Sequence, residues 1–348
     1  MHAITIGLDI AKNVFQVYGE DGTGKVVLRK RLRRAALTGF FGRQPPALIG
    51  IEACGAAHHW ARTFMAQGHA VKLMPAAYVK PFVKRNKTDE RDAEAICEAV
   101  RRPSMRFVRV KSVAQQCDRA LERARDLLVR QRTQLMNAIR GMLSEMGLVA
   151  PPGAAGFARL RAMIAGKDAA IPAALLPCLA ALLQQWQAAD AADRALAIRI
   201  IEQARGCATA RLLMQIPGVG PLTAHAVVAA VGDGKQFRSA RDFAAWIGLT
   251  PKQRSSGDTR RAGRISRAGD RGLRRLFVLG ASTKVRHLRD HPDKAGPWLS
   301  GILARRPVKV ATVAQAAKNA RIAWAMLVTG EEYHRPAATA HPAEAAAA

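Results

Sequence analysis

The stretch that most constrains this chain is Ile4–Tyr18, ITIGLDIAKNVFQVY. Its apolar and polar residues roughly alternate, which predicts two short strands, Ile4–Ile10 and Asn13–Tyr18, joined by a tight connection. The first strand is apolar enough to be the buried centre of a sheet, yet it carries a carboxylate, Asp9. A buried Asp is costly unless something positive or a hydrogen-bond donor pairs with it. A metal ion, a backbone turn or a basic side chain could serve, and the next hundred residues favour the metal.

Residues 1 to about 105 alternate strands and helices. A third strand is expected near Lys25–Leu32, then a short helix around Ala36–Phe41. Ala47–Glu52 is a buried strand that ends in a carboxylate. A helix near Ala57–Gln67, a fifth strand at Ala70–Met74 and a helix from Pro75 follow, and Lys87–Arg101 is a helix with an acidic start. Three strands in meander, then parallel strands alternating with helices, is the order of an RNase H-like sheet. With the first and fourth strands adjacent, Asp9 and Glu52 meet at one sheet end. Asp89 and Asp92, three apart, share a helix face that can reach the same spot. Four hard oxygen ligands suit Mg²⁺ or Mn²⁺, and two such ions could clamp a phosphodiester. Each acid taken singly would be only an N-cap or a solvated charge.

Charge narrows the partner. The 348 residues hold 55 Lys and Arg against 26 Asp and Glu, a formal net charge of +29. Such an excess favours a polyanion, nucleic acid first of all. No apolar run approaches the ~20 residues of a spanning helix, and a strand follows Met1 where a signal peptide would lie, so a cytoplasmic chain with no membrane partner is expected. Five single cysteines and no CxxC pair indicate neither zinc nor disulfides. His58–His59 reads as a helix start, since adjacent residues face different ways.

From Ser112 to Met146, Leu121, Leu128, Leu135 and Met142 recur every seven residues, which predicts a long amphipathic helix. After a Pro- and Ala-rich linker, a second apolar helix is expected from Leu175 to Arg205. Periodicity alone leaves open whether the two form a coiled-coil arm or core helices of one domain. Leu213–Gly232, LMQIPGVGPLTAHAVVAAVG, carries a helix-hairpin-helix signal: Gly218 and Gly220 allow a tight turn whose following amides can grip a phosphate. Lys252–Arg289 is the most basic stretch, with twelve cations against Asp258 and Asp270. Its glycines imply loops hugging a phosphate backbone, with Lys252, Arg254, Arg260, Arg261, Arg264, Arg267, Arg271, Arg274 and Arg275 as contacts. Val308–Thr329 is expected to be helical, and a disordered Ala/Pro/His-rich tail is expected over 331–348.

GLDIAK, the IEACG stretch at Ile51–Gly55 and KTDERDAEAI at Lys87–Ile96, in this order, resemble the DEDD-type transposases of bacterial insertion sequences. The resemblance implies a fold of α/β plus α in three parts. A RuvC-like (RNase H-like) catalytic domain would span 1–108, a helical coiled-coil arm for subunit assembly 109–207, and a mostly helical C-terminal transposase domain 208–330. It carries over Asp9, Glu52, Asp89 and Asp92 as the acidic tetrad. It also carries over a nucleophilic serine just before a glycine, landing on Ser256 with Ser255 as its rival. It further implies DNA as substrate, a structured guide RNA, and a homo-oligomer, dimer or tetramer. On the residues alone, three other readings stand beside it. These are a metal-dependent structure-specific nuclease with an inert serine, an actin-like ATPase or sugar kinase whose second lobe is missing here, and a non-catalytic DNA-binding protein.

Overall fold

The computed structural model describes residues 2–84, 88–256, 259–291 and 296–334. The chain divides into two compact units, residues 1–115 and 116–348.

In the first unit, β1 (Thr5–Ile10), β2 (Val14–Glu20) and β3 (Val26–Arg33) form the expected meander. Helix α1 (Arg34–Phe41) leads to β4 (Leu48–Glu52), α2 (Ala57–Ala66) and β5 (Ala70–Met74). A short helix α3 (Ala76–Val79), continued by a 3₁₀ turn, precedes α4 (Asp89–Val100). The strand order is β3-β2-β1-β4-β5, with β1 antiparallel to β2 and parallel to β4. This is a mixed α/β frame of the RNase H-like kind.

The two faces of the sheet differ because side chains alternate along each strand. Ile6, Leu8, Phe15, Val17, Ile49 and Ile51 pack with Leu37, Phe41, Trp60 and Phe64 of α1 and α2. The other face carries Gly7 and Gly50, and α4 lies on it. A Cβ on Gly7 would sit 2.0 Å from the Ala93 carbonyl oxygen and 2.5 Å from the Cys97 nitrogen, and one on Gly50 would sit 2.8 Å from the Val100 side chain. The helix can approach this closely only because both strand positions lack a side chain.

The second unit takes up most of α5 (Val113–Glu145), then α6 (Ala154–Ala165) and α7 (Leu176–Gly206). Helix α6 corrects the expected linker. Its Phe157, Leu160 and Ile164 fill a core with Ile139, Leu143, Leu179, Leu183 and Trp186, so the alanines around Pro151-Pro152 cover a buried stripe. Helices α5 and α7 run antiparallel, since Arg125 pairs with Asp193 (3.0 Å) and Arg132 with Asp190 (2.7 Å), while Ile139 and Leu143 join the core of Leu179 and Leu183. Next come α8 (Ala208–Met214), α9 (Pro221–Val231) and α10 (Ala240–Ile247), then β6 (Pro251–Ser256) and β7 (Thr259–Ile265), an antiparallel pair. Helices α11 (Arg271–Asp290), α12 (Pro297–Leu303) and α13 (Val308–Thr329) complete the unit.

The basic stretch is therefore a hairpin and a helix, where loops were expected. Leu273, Phe277, Ala281, Val285 and Leu288 recur at helical spacing and are buried; interleaved Arg and Lys hide that period in the sequence. Of the tail, residues 335–348 lie outside the described residues. Glu331–His334 follow α13 without regular structure, and the Tyr333 N–H donates to Gln215 Oε1 at 2.9 Å. No described helix is long and apolar enough to cross a membrane.

The seating of α4 gives a test. Gly7→Ala should lower unfolding free energy by about 1–3 kcal/mol, the usual cost of overpacking a close contact. Urea melts of the two proteins would check it, and equal midpoints would mean that the helix does not sit this close.

Candidate acidic centre and basic hairpin

Asp9 stands on the same face of β1 as Gly7, two residues on, and Glu52 stands likewise after Gly50 on β4. The strands pair in parallel up to Leu8 and Ile51, so the next residue of each is an acid. Helix α4 brings the remainder. Thr88 caps it, with its Oγ1 accepting from the Arg91 N–H, and Asp89, Glu90 and Asp92 fill the first turn, where the helix dipole favours anions. Ala93, Ile96, Cys97 and Val100 bury the facing side of the helix.

The outcome is a trio. Asp9, Asp89 and Asp92 each present a carboxylate oxygen within 4.8 Å of the others, with Asp9 and Asp92 half-buried and Asp89 exposed. Glu52 lies outside that set, but its charge still acts on Asp9. The Asp9 pKa is raised from 3.8 to about 6, by burial first, then by Asp92, Asp89 and Glu52, while a hydrogen bond from the Ile10 N–H works against the shift. Clustered hard oxygens that repel one another are the donor set of a hard divalent cation, which would remove that repulsion. Glu90 is drawn aside to Arg29, 3.6 Å away. Burial pushes the Cys97 thiol beneath the cluster up to about 12, so it stays a protonated packing group.

In the second unit, Ser256 ends β6 opposite Thr259, and Ser255 pairs with Arg260. The side chains of Ser255, Ser256 and Arg260 lie outside the described residues, as do Gly257 and Asp258 altogether. Arg254 and Arg261 are direct cross-strand neighbours. Lys252, Arg254, Arg261, Arg264, Arg267 and Arg271 are exposed. Arg274 and Arg275 are engaged within the protein. The Arg274 Nη1 donates to the Ile247 and Ala268 carbonyls at 2.8 and 2.9 Å, tying the end of α10 to the chain leaving β7. Arg275 pairs with Asp126 at 2.5 Å.

Gly218 meets the backbone of α11, where a Cβ would lie 2.8 Å from the Gly280 carbonyl oxygen, and Asn319 Nδ2 donates to the Pro217 carbonyl at 3.0 Å. Its φ of +90° suits glycine as well. Gly220 precedes α9, exposed and with open space around its Cα.

Gly7 and Gly50 escaped sequence reasoning, and so did the inward-facing role of Arg274, which was expected only as a phosphate contact. The first two had a signal, since each stands two residues before a strand carboxylate and so shares its face. Arg274 had none, because nothing in a basic run marks which arginine turns inward.

Carboxylates brought together by β1 and α4 at one end of an RNase H-like sheet, with Glu52 of β4 near enough to act on Asp9, define a class: a chain whose acidic centre could hold a divalent ion of the kind used in phosphodiester chemistry. Comparison with known proteins narrows the class. Residues 6–147 match a family model described as a transposase, the DEDD type of IS110, and residues 210–295 match one described as the IS116/IS110/IS902 transposase family. A probable family 20 transposase of Pseudomonas aeruginosa is 46% identical over 97% of this chain and 100% of its own length. The transposase for insertion sequence element IS1111A of Coxiella burnetii is 41% identical over 94% of this chain and 90% of its own length. That for IS1328 of Yersinia enterocolitica is 38% identical, over 95% and 98%. The chain belongs to the IS116/IS110/IS902 family of insertion-sequence transposases.

The raised Asp9 pKa fixes a pH dependence. With a folded pKa near 6 and an unfolded value near 3.8, Asp9 holds its proton more tightly in the folded protein. It favours folding fully below about pH 4, and that contribution is lost as pH rises through about 6. Without divalent ions, Asp9→Asn should therefore raise Tm over wild type more at pH 7 than at pH 4.5. Magnesium should raise wild-type Tm more at pH 7 as well, because ligands must be deprotonated. A pH-independent difference between the two proteins would count against the assignment.

Proposed function

We propose that this transposase is an RNA-guided DNA recombinase that cuts and rejoins strands through a phosphoserine intermediate, with Asp9, Glu52, Asp89 and Asp92 as the metal-binding acids and Ser256 as the nucleophile. The observation that carries the reading is the convergence of Asp9, Asp89 and Asp92 within 4.8 Å. A divalent ion bound there, magnesium or manganese, would supply Lewis-acid stabilisation of charge building on a phosphodiester.

In the reaction, the serine oxygen forms a bond to phosphorus as a phosphodiester P–O bond breaks, and the departing DNA hydroxyl carries a proton away. The reverse step restores the DNA, so bond energy is conserved and no nucleotide cofactor is required. Exposed arginines of the hairpin hold the strand. Arg254 and Arg261 face each other across the ladder, where like charges repel, and a phosphate between them relieves that repulsion.

The rest of the reading rests on family resemblance and on the +29 charge. The guide RNA selects the DNA, residues 109–207 serve as an assembly arm in a dimer or tetramer, and residues 208–330 form the serine-bearing domain. Lys252, Arg260, Arg264, Arg267 and Arg271 belong to the phosphate-binding surface, with the turn at Gly220.

A suicide DNA substrate nicked near the crossover tests the chemistry, because the short strand diffuses away and the reverse step loses its hydroxyl. Wild type should leave protein covalently attached to one strand end. Ser256→Ala should abolish the adduct while DNA affinity changes less than twofold, and Ser255→Ala should retain adduct. Cleaved DNA free of protein, with Ser256→Ala still active, would identify a hydrolytic nuclease instead.

A further inference from the structure

Strand registers across the first sheet place a set of cations beside the acidic centre. Asp9 of β1 pairs with Gln16 of β2, and Gln16 pairs with Arg31 of β3. Since the three are register partners, their side chains share one face, the face that Gly7 and α4 define. Tyr18 confirms the side: it pairs with Gly7 and packs with Ala93 and Cys97 of α4. On β3 the same face carries Arg29, Arg31 and Arg33, while Lys30 turns to the opposite face and lies over the Phe40 ring at 5.3 Å.

These arginines are not equivalent. Arg29 is used inside the protein, stacked on the Tyr18 ring at 5.5 Å and paired with Glu90. Arg31 and Arg33 are exposed, and among the described residues no side chain pairs with either. Two strand spacings separate β3 from β1, so the backbone of Arg31 stands about 10 Å from that of Asp9. Arg31 is not among the groups that shift Asp9. The spacing is about three nucleotides of one strand measured along a duplex axis. Gln16, half-buried between them, offers both a donor and an acceptor. A charged edge strand can also serve simply to block edge-to-edge pairing, but that duty is indifferent to face. Here the two cations without partners both lie on the face of the carboxylates.

We propose that Gln16, Arg31 and Arg33 form a backbone-binding track that leads a DNA strand across the open half of the sheet into the Asp9–Asp89–Asp92 centre. The track rests on the reading that this centre acts on DNA. Arg31 and Arg33 contact phosphates flanking the reacting one, and Gln16 bridges the gap. It therefore positions the strand without reading its sequence.

Binding measured in EDTA isolates the track from chemistry. With the full-length protein and a labelled DNA oligonucleotide, the log Kd against log salt slope should flatten by about 1.8 in Arg31→Gln/Arg33→Gln for duplex, or about 1.4 for a single strand. Extrapolated from 1 M salt, the duplex value is a roughly thirtyfold weakening at 0.15 M. Lys30→Gln, one residue along on the opposite face, should leave the slope unchanged, and Arg31→Lys/Arg33→Lys should keep it. Thermal melts report whether each variant folds, and the lysine pair keeps the test open if the glutamine pair does not. An unchanged slope in Arg31→Gln/Arg33→Gln, or equal loss in Lys30→Gln, overturns the track. So does aggregation of the glutamine pair with normal DNA binding, which would mark an edge guard. Loss on an RNA of the same sequence but not on DNA assigns the face to RNA and also overturns it. Asp9→Ala should keep the full slope. If wild type shows a normal slope contrast but cuts no DNA in magnesium, the reading of the centre fails while the track stands.

Discussion

The first unit depends on one close contact, the seating of α4 against the backbones of β1 and β4 at Gly7 and Gly50. An ordinary side chain at either position would hold the helix off the sheet, and Asp89 and Asp92 travel with the helix. The carboxylates repel one another, and burial disfavours the charge of Asp9. Their convergence is therefore imposed by apolar packing elsewhere, by Ala93, Ile96 and Val100 beneath the helix and by the aromatic core behind the sheet. A fold that holds like charges together by unrelated contacts is preorganised for a cation.

The second unit uses the same device at other places. Gly218 lets the turn before α9 rest on α11 at Gly280. Gly248, ending α10, lets the chain after β7 cross its backbone, where a Cβ would lie 2.1 Å from the Ala268 carbonyl oxygen. Arg274 then bridges the carbonyls of Ile247 and Ala268 across that crossing. The hairpin ending in Ser255 and Ser256 thus grows from a stem fixed at both ends. If the proposed serine chemistry holds, its hydroxyl would need a productive geometry, and a strand end on a clamped stem is a firmer place for it than the open loop its glycines imply.

Much of this was legible in the residues. An Asp in an apolar strand, a Glu closing another and two helical acids three apart point to one place once the strand order is guessed. The frame was legible because its strands are bounded by clear turns. Helix α11 was not, because Arg274 and Arg275 before Phe277, and Lys284 and Arg286 after Ala281, lower the apparent hydropathy of a well-formed apolar stripe. Helix α6 was lost to the prolines before it, Pro151 and Pro152, and to its own alanines. The row Asp9–Gln16–Arg31 could not be read at all, since it exists only in the register of three strands, and a slip of one residue would turn every member to the other face.

Manganese titrated into the full-length protein, followed by electron paramagnetic resonance of the free ion, reports directly on whether the acids hold a cation. Wild type should bind saturably at neutral pH, Asp9→Asn and Asp92→Asn should each lose that binding, and Glu52→Gln should be weakened to a lesser degree because Glu52 lies outside the closest set. Equal manganese uptake by wild type and by Asp9→Asn/Asp92→Asn would contradict a cation site there.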